Sequence, residues 1–387
     1  MEKVRMGVIG IGNMGSAHAK SIADGIISGM VLSAIADISP ERLEWASQNL
    51  PKGIALFNDA DNLIKSGLVD AIIVSTPHYY HPPLAIKGFE NGLHVLIEKP
   101  AGVYTMQVRQ MNEIAEKSGK VFAMMFNQRT NCIFRKMKEI VSSGELGRIK
   151  RTNWIITDWY RSQSYYDSGS WRATWAGEGG GVLLNQCPHN LDLWQWICGM
   201  PSKIQAFCHE GKWHDIEVED DVTAYAEYPN GATGVFVTST ADTPGTNRFE
   251  IMLDGGKLVC ENNKLMLYKL EMREREFNAT YKKGFGQPEF EKIDVETDGE
   301  NPQHNGVLQN FADAILFDKP LIASGCEGIH GLSISNAMHL SSWLGKAVEM
   351  PLNEELFFNE LTKKIASSKR KNVVSGEVLN IEGTFGS

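Results

Sequence analysis

Short apolar runs alternate with amphipathic stretches through the first third of the chain. Residues 4–9 (Val-Arg-Met-Gly-Val-Ile) predict a short buried strand, and residues 16–23 predict a helix. A second apolar run covers 31–36, with further strands expected at 70–75, 94–97 and 121–126. Between them lie a helix-like stretch at 82–91 and another at 106–118, the latter with Thr105 as N-cap and Gly119 as stop. From about residue 150 the pattern changes. Strand-like runs follow at 150–161, 203–209, 222–228, 232–239, 249–253, 258–261 and 265–270. They are separated by the turn signals Pro229-Asn230-Gly231, Asp254-Gly255-Gly256 and Asn262-Asn263. Connections that short predict a mostly antiparallel sheet. Helical patterns return at 306–317 and 327–345. The fold class is therefore α/β: an N-terminal doubly wound parallel sheet, then an α/β domain with a large, open-faced, mostly antiparallel sheet.

The composition fits a chain of 387 residues that buries more than one core, with 42% hydrophobic and 22% charged residues. A net charge of −9 repels phosphate backbones, so no nucleic-acid partner is expected. No apolar run approaches the ~20 residues that span a bilayer, and the start shows no secretory signal. The six cysteines (132, 187, 198, 208, 260 and 326) include no Cys-x-x-Cys pair and read as reduced thiols. Those features favour a cytoplasmic protein without membrane contact.

The turn Gly10-Ile11-Gly12-Asn13-Met14-Gly15 lies between the first strand and the first helix, and the next strand ends in Asp37. That is the dinucleotide fingerprint in its proper context. The glycines give the tight turn, the close approach to a pyrophosphate and the close helix packing, and the helix N-terminus faces the phosphates. Asp37 stands near the ~20-residue spacing of the acid that binds a ribose 2′-hydroxyl. Its charge repels a 2′-phosphate, which favours NAD over NADP, although Arg42 nearby could meet such a phosphate. Ser75, Thr76, His78, His81, Glu98, Lys99, Asn127 and Arg129 collect at the carboxyl ends of later strands, where the cofactor of such a sheet lies. These features divide the chain into a dinucleotide-binding domain (1–126) and a second α/β domain (127–387).

Trp171-Arg172 and the glycine run 177–181 lead to Asn185, His189 and Asp192, which share one face if this stretch is helical from Asn185. Pro188 is tolerated only in a first turn. Together with Gly10-x-Gly12-x-x-Gly15, Thr76-Pro77 with His81, Glu98-Lys99-Pro100 and Asn127-x-Arg129, these motifs resemble the Gfo/Idh/MocA family of nicotinamide-dependent sugar and polyol oxidoreductases. The resemblance spans about residues 4–345. It implies a Rossmann domain followed by a substrate-binding and oligomerisation domain whose open sheet builds dimers or tetramers. It also implies His189 as base, with an imidazole pKa ordinarily near 6.5, and Lys99 as the group that holds the reacting oxygen. A cationic nicotinamide would lower the Lys99 pKa. Trp171 and Arg172 are expected near the nicotinamide and substrate, with Tyr281 and His304 as further pocket residues.

Asn185 stands where many members of that family carry aspartate, so it reads either as a helix cap or as a substrate contact, and it is similar to branches that oxidise sugar rings, including the 3-position of glycosides. His78 stands where asparagine is frequent. The cluster His209, His214, Glu217, Glu219, Asp220 and Asp221 fits no zinc spacing and reads as a solvated loop entering a strand; no metal is expected. Tyr160, Tyr165 and Tyr166 suggest a surface for sugar stacking or for a second subunit. The function expected is an NAD-dependent dehydrogenase for a ring hydroxyl of a sugar, glycoside or cyclitol. An NAD-retaining glycosidase of the same family and a non-catalytic nicotinamide sensor are the alternatives. No role is derived for the segment from 351 onward.

Overall fold

The computed structural model describes residues 2–369. Six strands, β1 (Val4–Ile9), β2 (Met30–Ala36), β3 (Ala55–Phe57), β4 (Ala71–Val74), β5 (His94–Ile97) and β6 (Phe122–Met124), form one sheet in the order β3-β2-β1-β4-β5-β6. Every pairing in it is parallel. The order reverses between β1 and β4, and the crevice beyond their carboxyl ends is where sheets of this topology take ligands. The strands are near-continuous apolar runs because helices cover both faces. Val4, Met6 and Val8 face one helical layer. The helix Gln303–Phe317, from far down the chain, adds Val307, Leu308 and Phe311 to that same layer. The segment behind it touches β6, where Met124 N–H donates to the Ala323 carbonyl at 3.1 Å. A boundary at residue 126 thus marks the end of the first sheet's own strands, while 303–324 returns to pack on it.

The second sheet contains β7 (Ile149–Ile156), β8 (Lys203–Glu210), β9 (Glu219–Glu227), β10 (Thr233–Ser239), β11 (Asn247–Leu253), β12 (Gly256–Glu261), β13 (Lys264–Leu270), β14 (Phe290–Asp294) and β15 (Val348–Glu349). Their order is β14-β13-β12-β11-β7-β10-β9-β8-β15, antiparallel except for the β7–β10 pair. Strand alternation sends Trp154, Phe236, Phe249 and Ile251 into the core, where Trp154 stacks on Phe249 with centroids 4.1 Å apart. The helix Pro188–Cys198 packs on this face, its Trp194 indole N–H donating to Thr152 Oγ1 at 2.9 Å. The other face leaves Phe207 59% and Tyr225 43% exposed on the adjacent strands β8 and β9, and Ile155 and Met252 lie on the same face of β7 and β11.

Three local expectations are corrected. The helix after β5 begins at Thr105 itself, with Tyr104 in the cap position. The first-turn Thr105 N–H is satisfied by Asn336 Oδ1 at 3.2 Å, from a helix far along the chain. The strand expected at 150–161 ends at Ile156, and residues 157–161 continue as irregular backbone pinned by Thr157 N–H to Thr246 O and Arg161 N–H to Thr240 O. Glu219 and Asp220 are not solvated: both are 0% exposed. Buried carboxylates need donors. Asp220 finds the N–H groups of Lys212, Trp213 and His214, and Glu219 finds those of Gly181 and Leu183. The six cysteines are free thiols. The segment 351–369 docks as the helix Glu354–Ser367, which buries Phe357 and Leu361, and residues 370–387 lie outside the described part. Among the described residues no helix is long and apolar enough to cross a membrane.

Candidate active site

The glycine turn is shaped by its own packing at two positions and by something else at the third. Gly10 has φ +83°, and a Cβ there would lie 2.7 Å from the Ser75 carbonyl oxygen; one on Gly15 would lie 1.9 Å from the Gly10 carbonyl oxygen. A Cβ on Gly12 would meet nothing within 4 Å. The protein does not need glycine there, but a ligand pressed against the turn would. Gly12 precedes the helix Asn13–Ala23, which opens with Asn13, Met14 and Gly15, has no side-chain cap and carries no acid in its first turn. Its N–H groups are left for an anion. Asp37 closes this end of the crevice, its two oxygens accepting from Ile11 N–H at 2.7 Å and Ser39 N–H at 2.8 Å. Arg42 lies beyond it in the helix Pro40–Asn49.

Past the end of β4, the buried hydroxyls of Ser75 and Thr76 have no hydrogen-bond partner, as expected of groups awaiting a ligand. Asn127 donates to Gln303 Oε1 at 2.5 Å, while its buried Oδ1 is unpartnered. These hydroxyl and amide groups, with the turn and Asp37, fit a dinucleotide. Two other expected cofactor contacts are spent elsewhere. The two ring nitrogens of His81 lie 2.7 Å from the Pro100 and Thr76 carbonyls, and the N–H of a neutral ring donates to one of them, so the ring is held between two loops. The Arg129 guanidinium is 1% exposed and forks onto Asp192 at 2.7 and 2.8 Å, with Glu327 as a further partner. A charge buried that deeply must be paired, and the pairing removes it from the cofactor. His78 is buried, pairs through Nδ1 with the Glu178 carbonyl at 3.1 Å and meets the Trp171 ring edge-on.

Lys99 leaves β5 at the centre of the crevice. Its Nζ donates to the main-chain carbonyl of Asn185 at 2.8 Å. Burial pushes the ammonium pKa down, with Glu98 opposing. Glu98 is itself held by His18 Nε2 at 2.6 Å and accepts from the Lys99 N–H at 3.1 Å. Burial alone would raise the Glu98 carboxyl, but the hydrogen bond from His18 and the surrounding cations outweigh it and hold it at about 2. His304 joins this group, its ring 5.8 Å from His18, and burial lowers its pKa to about 4. His189 departs from its ordinary value more strongly. Burial, then the charges of Lys99 and His304, bring it to about 3, so it stands as a neutral imidazole. Its Nδ1 is buried and unpartnered.

The helix carrying His189 begins at Pro188, not at Asn185, because proline has no N–H to offer the interior of a helix. Asn185 lies in the preceding turn and is not a helix cap: its Nδ2 donates to Glu178 Oε1. That turn is shaped by Glu219, and a Cβ on Gly181 would meet the Glu219 carbonyl oxygen at 2.0 Å. Arg172 lies over the rings of both Trp171 and Tyr165, 4.7 Å from each, and donates to Tyr165 Oη at 2.9 Å. Tyr166 is buried, whereas Tyr160 is exposed. Tyr281 is not drawn toward Lys99. It stacks on Phe277 at 4.6 Å and donates to the Phe285 carbonyl at 2.5 Å, within the segment between β13 and β14. Sequence reasoning missed His18, Glu178 and Glu219. Glu178 alone had a signal, since it interrupts the glycine run.

Comparison with known proteins agrees with this architecture. Residues 4–126 match the family model described as an oxidoreductase family with an NAD-binding Rossmann fold, and residues 134–259 match the model of the GFO/IDH/MocA C-terminal domain. The myo-inositol 2-dehydrogenase of Thermotoga maritima is 27% identical over 67% of this chain and 75% of its own length. The rhizopine catabolism protein MocA of Rhizobium meliloti is 26% identical over 51% of this chain, which spans 58% of that relative. Among solved structures, the WlbA dehydrogenase from Bordetella pertussis, in complex with NADH and UDP-GlcNAcA, superposes with a TM-score of 0.76 at 25% identity, covering 91% of this chain and all of that one.

Proposed function

Because this chain belongs to the Gfo/Idh/MocA family of NAD-binding oxidoreductases, we propose that it oxidises a secondary ring hydroxyl of a sugar, glycoside or cyclitol. The observation that carries the reading is the pairing, in one crevice, of the buried Lys99 ammonium with a neutral His189 whose Nδ1 has no partner. Bound NAD supplies the hydride acceptor. The turn Gly10–Gly15 would hold its pyrophosphate and Asp37 its ribose, with Ser75, Thr76 and Asn127 lining the remainder. The carboxylate of Asp37 favours NAD over NADP.

Removing hydride from an alcohol carbon requires that the hydroxyl proton leave. The imidazole of His189, kept neutral, accepts it. Burial and the Lys99 charge disfavour the imidazolium, so the proton passes on to solvent. Lys99 donates to the reacting oxygen and offsets the negative charge that develops on it, worth most in a site from which water is excluded. Asn185 and Arg172, on the other wall, are placed to bind neighbouring hydroxyls. Absorbance of reduced nicotinamide, followed with NAD or NADP against free sugars, inositols and glycosides, tests this reading. Formation of NADH on one ring class is the expected result. Net glycoside cleavage without NADH would instead indicate transient oxidation, and tight NAD binding without turnover on any of them would indicate a sensor.

A further inference from the structure

We propose that Glu178 is the positioning carboxylate of this active site, holding the Asn185 amide with its Oδ1 toward substrate and supplying the negative charge that residue 185 itself lacks. The proposal rests on the dehydrogenase reading above and adds a residue to it. Glu178 lies between Gly177 and Gly179 in the glycine run and is 2% exposed. Both of its oxygens act as acceptors: Oε2 takes the Ala173 N–H at 2.5 Å, and Oε1 takes Asn185 Nδ2.

An amide has one donor end and one acceptor end. One N–H of Nδ2 is committed to the Glu178 carboxylate, and this fixes the orientation of the amide, with Oδ1 at the opposite end as the acceptor open to a ligand. Asn185 then recognises a substrate hydroxyl that donates, which is half of what a carboxylate offers at the same position. The other half is charge. Glu178 is one of the anions that favour the Lys99 ammonium, and the Arg172 charge in turn favours the ionised Glu178. Burial pushes the Glu178 carboxyl up, and Arg172 with the two hydrogen bonds opposes that rise. A carboxylate this buried is held by such partners, which offset the loss of its hydration. The main-chain carbonyl of the same Asn185 takes the Lys99 Nζ hydrogen bond, so any shift of this turn moves both ends of the site together.

The test has two parts, one independent of any substrate. In protein labelled with 15N-asparagine, the Asn185 side-chain amide signal is assigned by its loss in Asn185→Ala. Glu178→Gln should move that signal more than any other side-chain amide; if it moves no more than the rest, the proposal is wrong. The second part uses whichever ring compound the NADH panel identifies. Glu178→Gln should lower kcat by about 10- to 100-fold with KM changed by less than about threefold. The loss should nearly vanish in an Asn185→Ala background, and Asn185→Asp should recover it in the Glu178→Gln background by restoring one carboxylate to the pair. An equal loss with and without Asn185 would make Glu178 a residue of the fold only, and would overturn the proposal. If the wild type oxidises nothing on the panel, the functional reading fails by itself, and the amide signal still decides the place of Glu178.

Discussion

Lys99 Nζ donates to the main-chain oxygen of Asn185 at 2.8 Å, and that single bond joins the end of β5 in the first sheet to the turn that follows the glycine run. Burial lowers the pKa of this ammonium, and the Glu98 carboxylate next to it in sequence opposes the fall. His78, paired with the Glu178 carbonyl at 3.1 Å, is a second tie between the first domain and the glycine run.

Lys99→Ala should therefore lower kcat by about 10²- to 10³-fold, the usual effect of removing one donor aimed at a developing oxyanion. NAD affinity should change little. His189→Ala should cost about 10²- to 10⁴-fold, as for loss of a positioned base. Steady-state kinetics alongside NADH fluorescence titration measure both. Wild-type turnover in either variant would remove that residue from the chemistry.

Asp37 has a structural tie beside the cofactor role proposed for it. Because its oxygens hold Ile11 N–H and Ser39 N–H, it also shapes the glycine turn. Asp37→Ser should shift the ratio of kcat/KM for NAD over NADP toward NADP by at least about tenfold, with Arg42 left in place to meet the added phosphate. It should also lower stability by about 1–3 kcal/mol through the orphaned donors. An unchanged cofactor ratio, measured with both nucleotides, would mean that Asp37 serves the turn alone.

Two half-buried histidines make stability depend on pH in a definite direction. His189 and His304 are held at about 3 and about 4, first by burial, while in the unfolded chain such groups titrate near 6.5. Below about pH 6.5 the unfolded state takes up protons that the native state refuses. Stability then falls as pH falls, by up to about 1.4 kcal/mol per pH unit for each group, until the folded-state values are reached. Glu98, held at about 2 against an ordinary 4.5, contributes fully above its ordinary value and loses that contribution as pH drops further. Urea midpoints from pH 7 to 4 should decline, and His304→Gln should flatten the decline. An identical slope in that variant would contradict the burial of a neutral ring.

The open face of the second sheet exposes Phe207 and Tyr225 on adjacent strands, with Ile155 and Met252 further along the same face. Exposed apolar side chains on an uncovered sheet face make it the surface to test for self-association. Phe207→Glu should convert the protein from dimer or larger to monomer in sedimentation equilibrium without loss of helix content. A wild type that sediments as a monomer would leave the face without that role.

The parts visible in the sequence are those whose signal is periodic or rests on backbone requirements. The run from Val4 to Ile9 is apolar because helices cover both faces of β1, and Gly10 is glycine because its φ of +83° and the Ser75 carbonyl leave no room for a Cβ. Lys99 and His189 could be named because they sit in motifs. What stayed hidden is pairing across distance. Nothing near Thr105 says that Asn336 will cap its helix, and nothing in Glu219-Asp220-Asp221 separates two fully buried carboxylates from a charged loop. Arg129 misled for the same reason. An arginine at a strand end reads as a ligand contact until its partners, Asp192 and Glu327, are known.

That pairing gives the last prediction. Arg129 and Asp192 are each 1% exposed and joined by two hydrogen bonds, while Phe126 and Trp196 flank the guanidinium at 5.5 and 5.2 Å. Removing Asp192 leaves the buried guanidinium with Glu327 as its remaining carboxylate, a loss that approaches the about 3–5 kcal/mol of a broken buried pair only as far as Glu327 fails to compensate, whereas replacing both residues by apolar groups of similar volume is often nearly neutral. Asp192→Leu alone should therefore lower the urea midpoint, and Arg129→Met with Asp192→Leu should restore much of it. NAD affinity in the double variant should stay close to wild type, since the guanidinium is spent on carboxylates and not on the nucleotide. If cofactor binding collapses in the double variant while stability recovers, Arg129 does reach the cofactor, and its burial in the free enzyme is only the resting half of its role.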